Sequence, residues 1–403
     1  MPNATTLIES LLLPSLNCLS AVNPAAAAQR RQRMANDPTT FVRGSLILHV
    51  AWLAAHPLAK APWVWSIGDA HQGNFATLAT GALNRAGISP VTYGIADVDD
   101  EHPAPWHWDI VRLLASMAVA LPTLKNKEFI ALAQGCIADY ARVMKAATID
   151  DEHAERLDFH GLPEALKAVI ESDSDEHTLE KNRAKLIDGK QLRASSACVA
   201  DAAARTLMLP AVEAALQLKS PSKKLQVLDL AQRTSSGGLA SLGRRRWWVL
   251  ARERNREGDW VPRVLELKEC RPSVLSAILP AQPFTPATTG RWTLPMGGDP
   301  WQRYVPIGVG HALLRTRCQA RSVLDLSTLD AGDRLRLVRL WGQILATAHL
   351  TSARGLGLPV HEMAQAVADH ASEHATPAGV LAWELAEWTR AAYKIFADSM
   401  SDV

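Results

Sequence analysis

The sequence predicts an α+β protein, with helices and strands gathered in separate stretches of the chain. Three observations predict it. Helical spacing of apolar residues dominates both ends of the 403-residue chain. A short strand-and-loop unit breaks the first helical stretch around "WVWSIG" and "VTYGIADV". Between 226 and 270 the texture changes to Trp- and Val-rich runs with a glycine-rich bend. Runs of strands set apart from runs of helices mark the α+β class.

Residues 5–20 and 38–56 read as helices, with "NPAAAAQRRQRMANDP" bridging them. Pro62 precedes "WVWSI", whose Trp/Val content suits a buried strand. "FATLAT" and "VTYGIADV" read as two strands around a turn region at 80–90. "WDIVRLLASMAVAL" then sets Ile110, Leu113, Leu114, Met117 and Leu121 at helical spacing. Further helices are expected over 127–147 and 162–172. The charged stretch 171–193 holds few large apolar groups and reads as an exposed connection. A helix near 198–218 is followed by "KSPSKK" at 219–224, a plausible boundary. From 226 to 270, two strands joined by the polar "NREGDW" turn are expected, the first preceded by the glycine-rich bend. Helices return from about 302. "DRLRLVRLWGQILATAHL" carries Leu337, Trp341, Ile344, Leu345 and Ala348 on one stripe, and "VLAWELAEWTRAAYKIF" repeats the pattern. The chain divides on this basis into 1–225, 226–300 and 301–403.

Composition narrows the function classes. With 48% hydrophobic and 21% charged residues, the chain has enough apolar mass for more than one core. A net charge of +2 demands neither nucleic acid nor an anionic membrane. The runs "RRQR" and "GRRRWW" read as solvated faces. Cys18, Cys136, Cys198, Cys270 and Cys318 are scattered without CxxC spacing. They suit neither a disulfide framework nor a zinc site, and a reducing cytoplasm is the expected home. "TLIESLLLPSLNCL" contains Glu9 and lacks a basic leader, which argues against a signal peptide. No membrane span is expected, since no stretch of about 18 uncharged apolar residues is seen.

The chemistry concentrates in four places. In "SIGDAHQGNF", Asp69 and Asn74 stand five apart, and Gly73 lets the chain fold back so that both side chains aim into one cleft. In "DVDD", alternation along an extended segment puts Asp97 and Asp99 on one face. An oxygen-only set of Asn74, Asp97 and Asp99 suits a hard cation such as Mg²⁺. Each half taken singly is an Asx turn with solvent-facing acids. Gly238, Ser241 and Gly243 in "GLASLG" would let backbone N–H groups approach phosphates, although a lone glycine-rich bend is usually a turn. In "VLELKEC", Lys268 lies within an apolar strand pattern, with Glu266 on its face. A glycine-rich hairpin followed about 25 residues later by a strand lysine is how kinases grip a nucleoside triphosphate.

"GDAHQGNF" resembles the catalytic loop of aminoglycoside-phosphotransferase-type kinases, "IADVDD" the metal-binding segment that follows it, and "PAPWHWDIVRLLAS" the Asp-bearing helix start after that. More closely, the chain resembles the bacterial family called domain of unknown function 2252, grouped with the protein-kinase-like superfamily. The matching stretches are "RMANDPTTFVRGS", "GDAHQGNF", "IADVDDEHPAPWHWDIVRLLAS", "GLASLG…VLELKECRPSVL" and "WGQILATAHLTSA". Three positions depart from the pattern. Ile67 stands where the kinase loop carries a histidine, Ala240 where the family has glycine, and Val98 where an aromatic residue is usual.

The resemblance implies a two-lobed, protein-kinase-like fold that is circularly permuted. Its β-rich small lobe comes late in the chain, and its mainly helical large lobe is built from both ends. It implies Mg²⁺-ATP-dependent phosphoryl transfer to a small-molecule or protein hydroxyl, with a protein partner left open. Asp69 would be catalytic, and Asp97, with Asn74 and Asp99, would hold the metal. Lys268 and the 238–243 backbone would hold the phosphates. His71 and Arg43 are candidates for contact with substrate or with the loop, while Asp109 and His349 read as structural. Glu266, or an acid from elsewhere, is left to pair with Lys268. The competing readings are a nucleotide-binding pseudokinase that regulates a partner, transfer of AMP on the same fold, and a metal-dependent hydrolase built on Asp69, Asp97 and Asp99.

Overall fold

The computed structural model describes residues 3–79, 85, 91–149, 162–216, 225–234, 242–255, 257–280, 301–308, 310–317 and 321–401. It is an α+β structure with a mainly helical body and a six-stranded antiparallel sheet.

The body forms around helices whose apolar stripes were visible in the sequence. Asn126–Ala146 and Ala331–Gly355 run against each other, flanked by Val360–Glu373 and Ala375–Ser401. A Cβ on Gly342 would fall on the carbonyl oxygen of Cys136, so the first two helices touch backbone to backbone there. The helix His107–Ala120 is buried on nearly every side, which matches its lack of a polar face. Leu113, Tyr140, Trp341, Ile344 and Phe396 lie in one continuous core with Ile8, Leu12 and Leu16 from the N-terminal helix.

That N-terminal helix, Ala4–Val22, contains a π-helical stretch at Ile8–Leu12. By length and composition it is apolar enough to cross a membrane, although it carries Glu9, and Ile8, Leu12 and Leu16 pack into the core of the helical body. The segment read as a bridge is itself a helix, Pro24–Asn36. Asn23 caps it by accepting from Ala26 N at 3.0 Å, and Pro24 occupies the first turn, where its missing N–H costs nothing. The 38–56 helix divides at Ser45 into Pro38–Gly44 and Leu46–Ala54.

Strands β1 (Trp63–Ser66), β2 (Phe75–Ala79), β3 (Val91–Ile95) and β4 (His102–Pro105) form two short antiparallel pairs, β1 with β4 and β2 with β3. They lie beside the helical body and hold the loop 67–74 and the acidic segment 96–101 between them. The stretch 171–193 is more ordered than its charge suggested. Asp175 caps a helix, Glu176–Ala184, by accepting from Thr178 N at 2.7 Å. Two short strands follow, β5 (Ile187–Asp188) and β6 (Gln191–Leu192), with Gly189 at φ +59° between them.

The main sheet contains β7 (Cys198–Ala200), β8 (Leu225–Arg233), β9 (Arg246–Arg254), β10 (Trp260–Glu269), β11 (Arg303–Ile307) and β12 (Gly310–Thr316). Its order is β11-β12-β10-β9-β8-β7. Three corrections follow. The glycine-rich segment joins two strands, because "LQVLDLAQR" pairs with β9, and the sheet continues to Thr316 where helices were expected. The helix expected at 198–218 begins at Ala202, after β7. Side chains alternate across the sheet. Trp247, Val249, Leu265 and Leu267 pack with Met208 and Val212 of the helix Ala202–Ala215. Trp248, Leu250 and Val264 pack on the opposite face with Leu192 and Cys198. Residues sharing the parity of Val264, Glu266 and Lys268 among them, therefore face away from that helix. The four described cysteines are free thiols.

Candidate functional site

Lys268 lies near the end of β10, opposite Arg246 on β9 and Leu313 on β12. Its side chain is 1% exposed. Its ammonium meets the segment that follows β3, where Asp97 Oδ2 lies 3.1 Å away and Asp99 also pairs with it. The two acids are thus brought onto one cation where the chain leaves β3 and turns at Asp99 and Asp100, with Glu101 N donating to Val98 O at 3.3 Å. Burial alone would raise the Asp97 carboxyl. Lys268, Arg315, Arg321 and Arg244 instead hold it well below the usual carboxylate range. Arg244 makes a second ion pair with Asp99.

Glu266 does not pair with Lys268. It is shared among Arg233 at 2.9 Å, Arg315 at 3.2 Å and Arg246 at 3.7 Å. Burial opposes its ionisation, but these guanidinium groups draw its carboxyl down to about 2. Arg315 also donates to Ala96 O at 2.8 Å. Further contacts tie the acidic segment to β11 and to the segment that follows β10. Ser273 Oγ donates to Asp100 O at 2.7 Å, Val274 N to Asp100 Oδ1 at 2.9 Å, and Tyr304 OH to Glu101 Oε1 at 3.2 Å. Burial, with Asp69 and Asp99 nearby, pushes the Asp100 carboxyl up to about 6.

The loop between β1 and β2 packs against the acidic segment. Gly68 has φ +80°, and a Cβ there would fall on the carbonyl of Asp100, so glycine is required on both counts. Asp109, in the first turn of His107–Ala120, pins the loop by accepting from Ile67 N at 2.8 Å and Gly68 N at 3.1 Å. His349 from Ala331–Gly355 backs it, with Nε2 2.9 Å from Asp109 Oδ2 and Nδ1 2.8 Å from the Tyr140 hydroxyl. Both residues are buried supports of the loop.

Asp69 is 7% exposed, and its Oδ1 accepts from Nε of buried Arg112 at 3.1 Å. Arg112 is fixed in turn by Val42 O at 3.1 Å and by His49. His71 Nε2 lies 3.7 Å from Asp69 Oδ2. Burial, with Arg112 and Arg43 nearby, depresses its imidazole to about 3 and keeps it neutral, although Asp69 favours the charged form. Asn74 donates its amide to Asp69 O at 2.9 Å, and its own carbonyl accepts from Ala96 N at 2.7 Å, locking the loop to the acidic segment.

The structure therefore brings together Lys268, Asp97 and Asp99, with Asp69, His71 and Asn74 on the adjoining loop and Arg43 beside Gly73. Gly243 directly precedes Arg244. At φ +78°, a Cβ on the glycine would press on Leu19, and its carbonyl accepts from Arg271 at 2.7 Å. Gly238 and Ser241 lie outside the described residues.

Sequence reasoning missed Arg112, Arg244 and Arg315. Arg244 and Arg246 came from a run read as a solvated face, yet both side chains are 8% exposed, while Arg245 between them is 60% exposed. The alternation of a strand entering the sheet was the available signal. Among the described residues, no group of three or more His, Cys, Asp and Glu side chains is placed to hold a metal ion.

Residues 23–399 match the family described as "Uncharacterized protein conserved in bacteria (DUF2252)". The chain belongs to that family. No curated protein and no solved structure matches it.

Proposed function

We propose that this chain is a Mg²⁺-ATP-dependent phosphotransferase with a circularly permuted, two-lobed, kinase-like body. One observation carries the proposal: Lys268 meets Asp97, 171 residues away in the chain, and Asp99 beside it. The connectivity around that contact supports the reading. The glycine-bearing connection joins the first two strands of the β8–β9–β10 meander, and the lysine lies on the third.

Two carboxylates and the side-chain oxygen of Asn74 are a hard donor set. Mg²⁺ is commonly held by one or two carboxylates together with substrate phosphates, not by an all-protein cage, and the residues here fit that use. Asp97 and Asp99 would hold the ion, which when bound supplies neutralisation of charge on the phosphates. Lys268 would hold the α- and β-phosphates, with Arg244 beside it. Arg112 occupies Oδ1 of Asp69, which leaves Oδ2 to orient an acceptor hydroxyl and take its proton. The buried partners of Asp69 and Asp109 keep this wall rigid before substrate arrives, which is where positioning draws its effect.

The test is ATP turnover by the wild type and by Asp97→Ala, read as released or transferred phosphate. The variant should lose at least ~10²-fold in rate. Equal rates would remove Asp97 from the chemistry. Calorimetry with ATP and mass analysis of the products separate the alternatives. Binding without turnover identifies a non-catalytic nucleotide sensor, and an adenylyl adduct identifies AMP transfer.

A further inference from the structure

We propose that His49 and Thr389 are positioning residues, joined to Asp69 through Arg112 in one directed hydrogen-bond relay that fixes how the Asp69 carboxylate points. The inference rests on the phosphotransferase reading for what Asp69 then does. From the loop outward, Asp69 Oδ1 accepts from Arg112 Nε at 3.1 Å and also from Nη2. Arg112 Nη1 meets His49 Nδ1. On the other side of the ring, His49 Nε2 lies 3.1 Å from Thr389 Oγ1, which lies 2.6 Å from Leu385 O.

The two ends of this chain assign every donor and acceptor within it. A guanidinium has only N–H groups to offer, so His49 Nδ1 accepts and carries no proton. A carbonyl oxygen only accepts, so the Thr389 hydroxyl donates to Leu385 O. That hydroxyl is left to accept from His49 Nε2, where a neutral ring holds its single proton. Burial first, then Arg112 and His71, hold the His49 imidazole well below its usual range, which keeps the ring in that neutral form.

Packing alone does not call for such a chain. His49, Arg112 and Thr389 are buried, while Leu48, Val50 and Leu385, close to them in sequence, belong to the continuous apolar core. Apolar side chains would fill the same volume without the cost of desolvating polar groups. A fully satisfied polar network instead rigidifies its members and specifies one arrangement. Here it specifies the arrangement of Arg112, whose Nη2 also donates to Val42 O at 3.1 Å. The relay crosses the helices Leu46–Ala54, His107–Ala120 and Ala375–Ser401, so the loop carboxylate is registered against three buried elements at once.

The test compares Thr389→Val, which keeps the branched shape and removes the hydroxyl, with Thr389→Ser, which restores it. Nitrogen-15 NMR of the wild type should find His49 protonated at Nε2 and bare at Nδ1. Slow rotation of the pinned Arg112 guanidinium should give resolved Nη signals. Thr389→Val should merge those signals, and Thr389→Ser should keep them. In ATP turnover, Thr389→Val should lower kcat by ~10-fold or more with KM for ATP unchanged, because the relay does not touch Lys268. Thr389→Ser should recover kcat to within about twofold of the wild type.

A His49 proton on Nδ1, Arg112 signals indifferent to Thr389→Val, or a folded Thr389→Val with wild-type kcat would each overturn the relay. The wild-type ring spectrum decides the proton placement even where Thr389→Val does not fold. A wild type that turns over no ATP removes the phosphotransferase reading alone, and the Arg112 signals still decide whether Thr389 holds the guanidinium.

Discussion

Asp97 and His107 are both buried ionisable groups, and their surroundings treat them oppositely. Asp97 is compensated by four cations, and its charge survives burial. His107 has no such partner among the described residues. There both ring nitrogens lack hydrogen bonds, and burial, with His370 and His374 nearby, lowers the imidazole to about 3. In the unfolded chain the same ring titrates near 6.5. Between these values the unfolded state binds more protons, so stability falls as pH drops through that window. Urea unfolding at pH 7 and pH 5 should show a loss from this residue of about 1–2 kcal/mol. His107→Leu should remove that part of the acid sensitivity while changing stability at pH 7 little. An unchanged pH dependence in the variant would assign the effect elsewhere.

Helix packing gives a prediction in which two rules disagree. Gly342 lies inside Ala331–Gly355, where helix propensity alone says alanine should stabilise by up to ~1 kcal/mol. The backbone of Asn126–Ala146 is in the way, since a methyl group at 342 would fall on the Cys136 carbonyl. Overpacking of this kind costs about 1–3 kcal/mol, and a helix backbone cannot move aside as a side chain can. Gly342→Ala should therefore lower the urea midpoint, and a raised midpoint would show that the helices separate freely.

The same elements mark how far the sequence could be read. Long amphipathic helices such as Ala331–Gly355 were legible because a 3.6-residue stripe is local information. Pro24–Asn36 was not, because its buried side is made by Ala26, Ala27 and Met34, too small and sparse to form a stripe. β11 and β12 were also missed, since a strand of five to seven residues is recognisable chiefly through its partner. In the site, the acids and the lysine were visible as residue types at a spacing. Arg112, buried in a helix without a polar face, carried no local sign that Asp69 would claim it.

At the scale of the molecule, the sheet and the helical body meet through charge. Lys268 and Arg244 reach Asp97 and Asp99, Arg315 reaches Ala96 O, and Tyr304 reaches Glu101. A triphosphate bound at Lys268 would add contacts on both sides of this seam and favour the folded state by mass action. ATP with Mg²⁺ at about 100 times its dissociation constant should stabilise the protein by ~2.7 kcal/mol, seen as a rise in melting temperature that Lys268→Met abolishes. A melting temperature indifferent to ATP would place the nucleotide elsewhere or nowhere.

The 171-residue separation between Asp97 and Lys268 also has a consequence for biosynthesis. A ribosome adding roughly 5–20 residues per second needs on the order of 10–30 s to cover that distance. Throughout that interval the emerging acids lack the Lys268 ammonium that neutralises them in the folded chain. The contact therefore cannot form until the third strand of the meander leaves the exit tunnel.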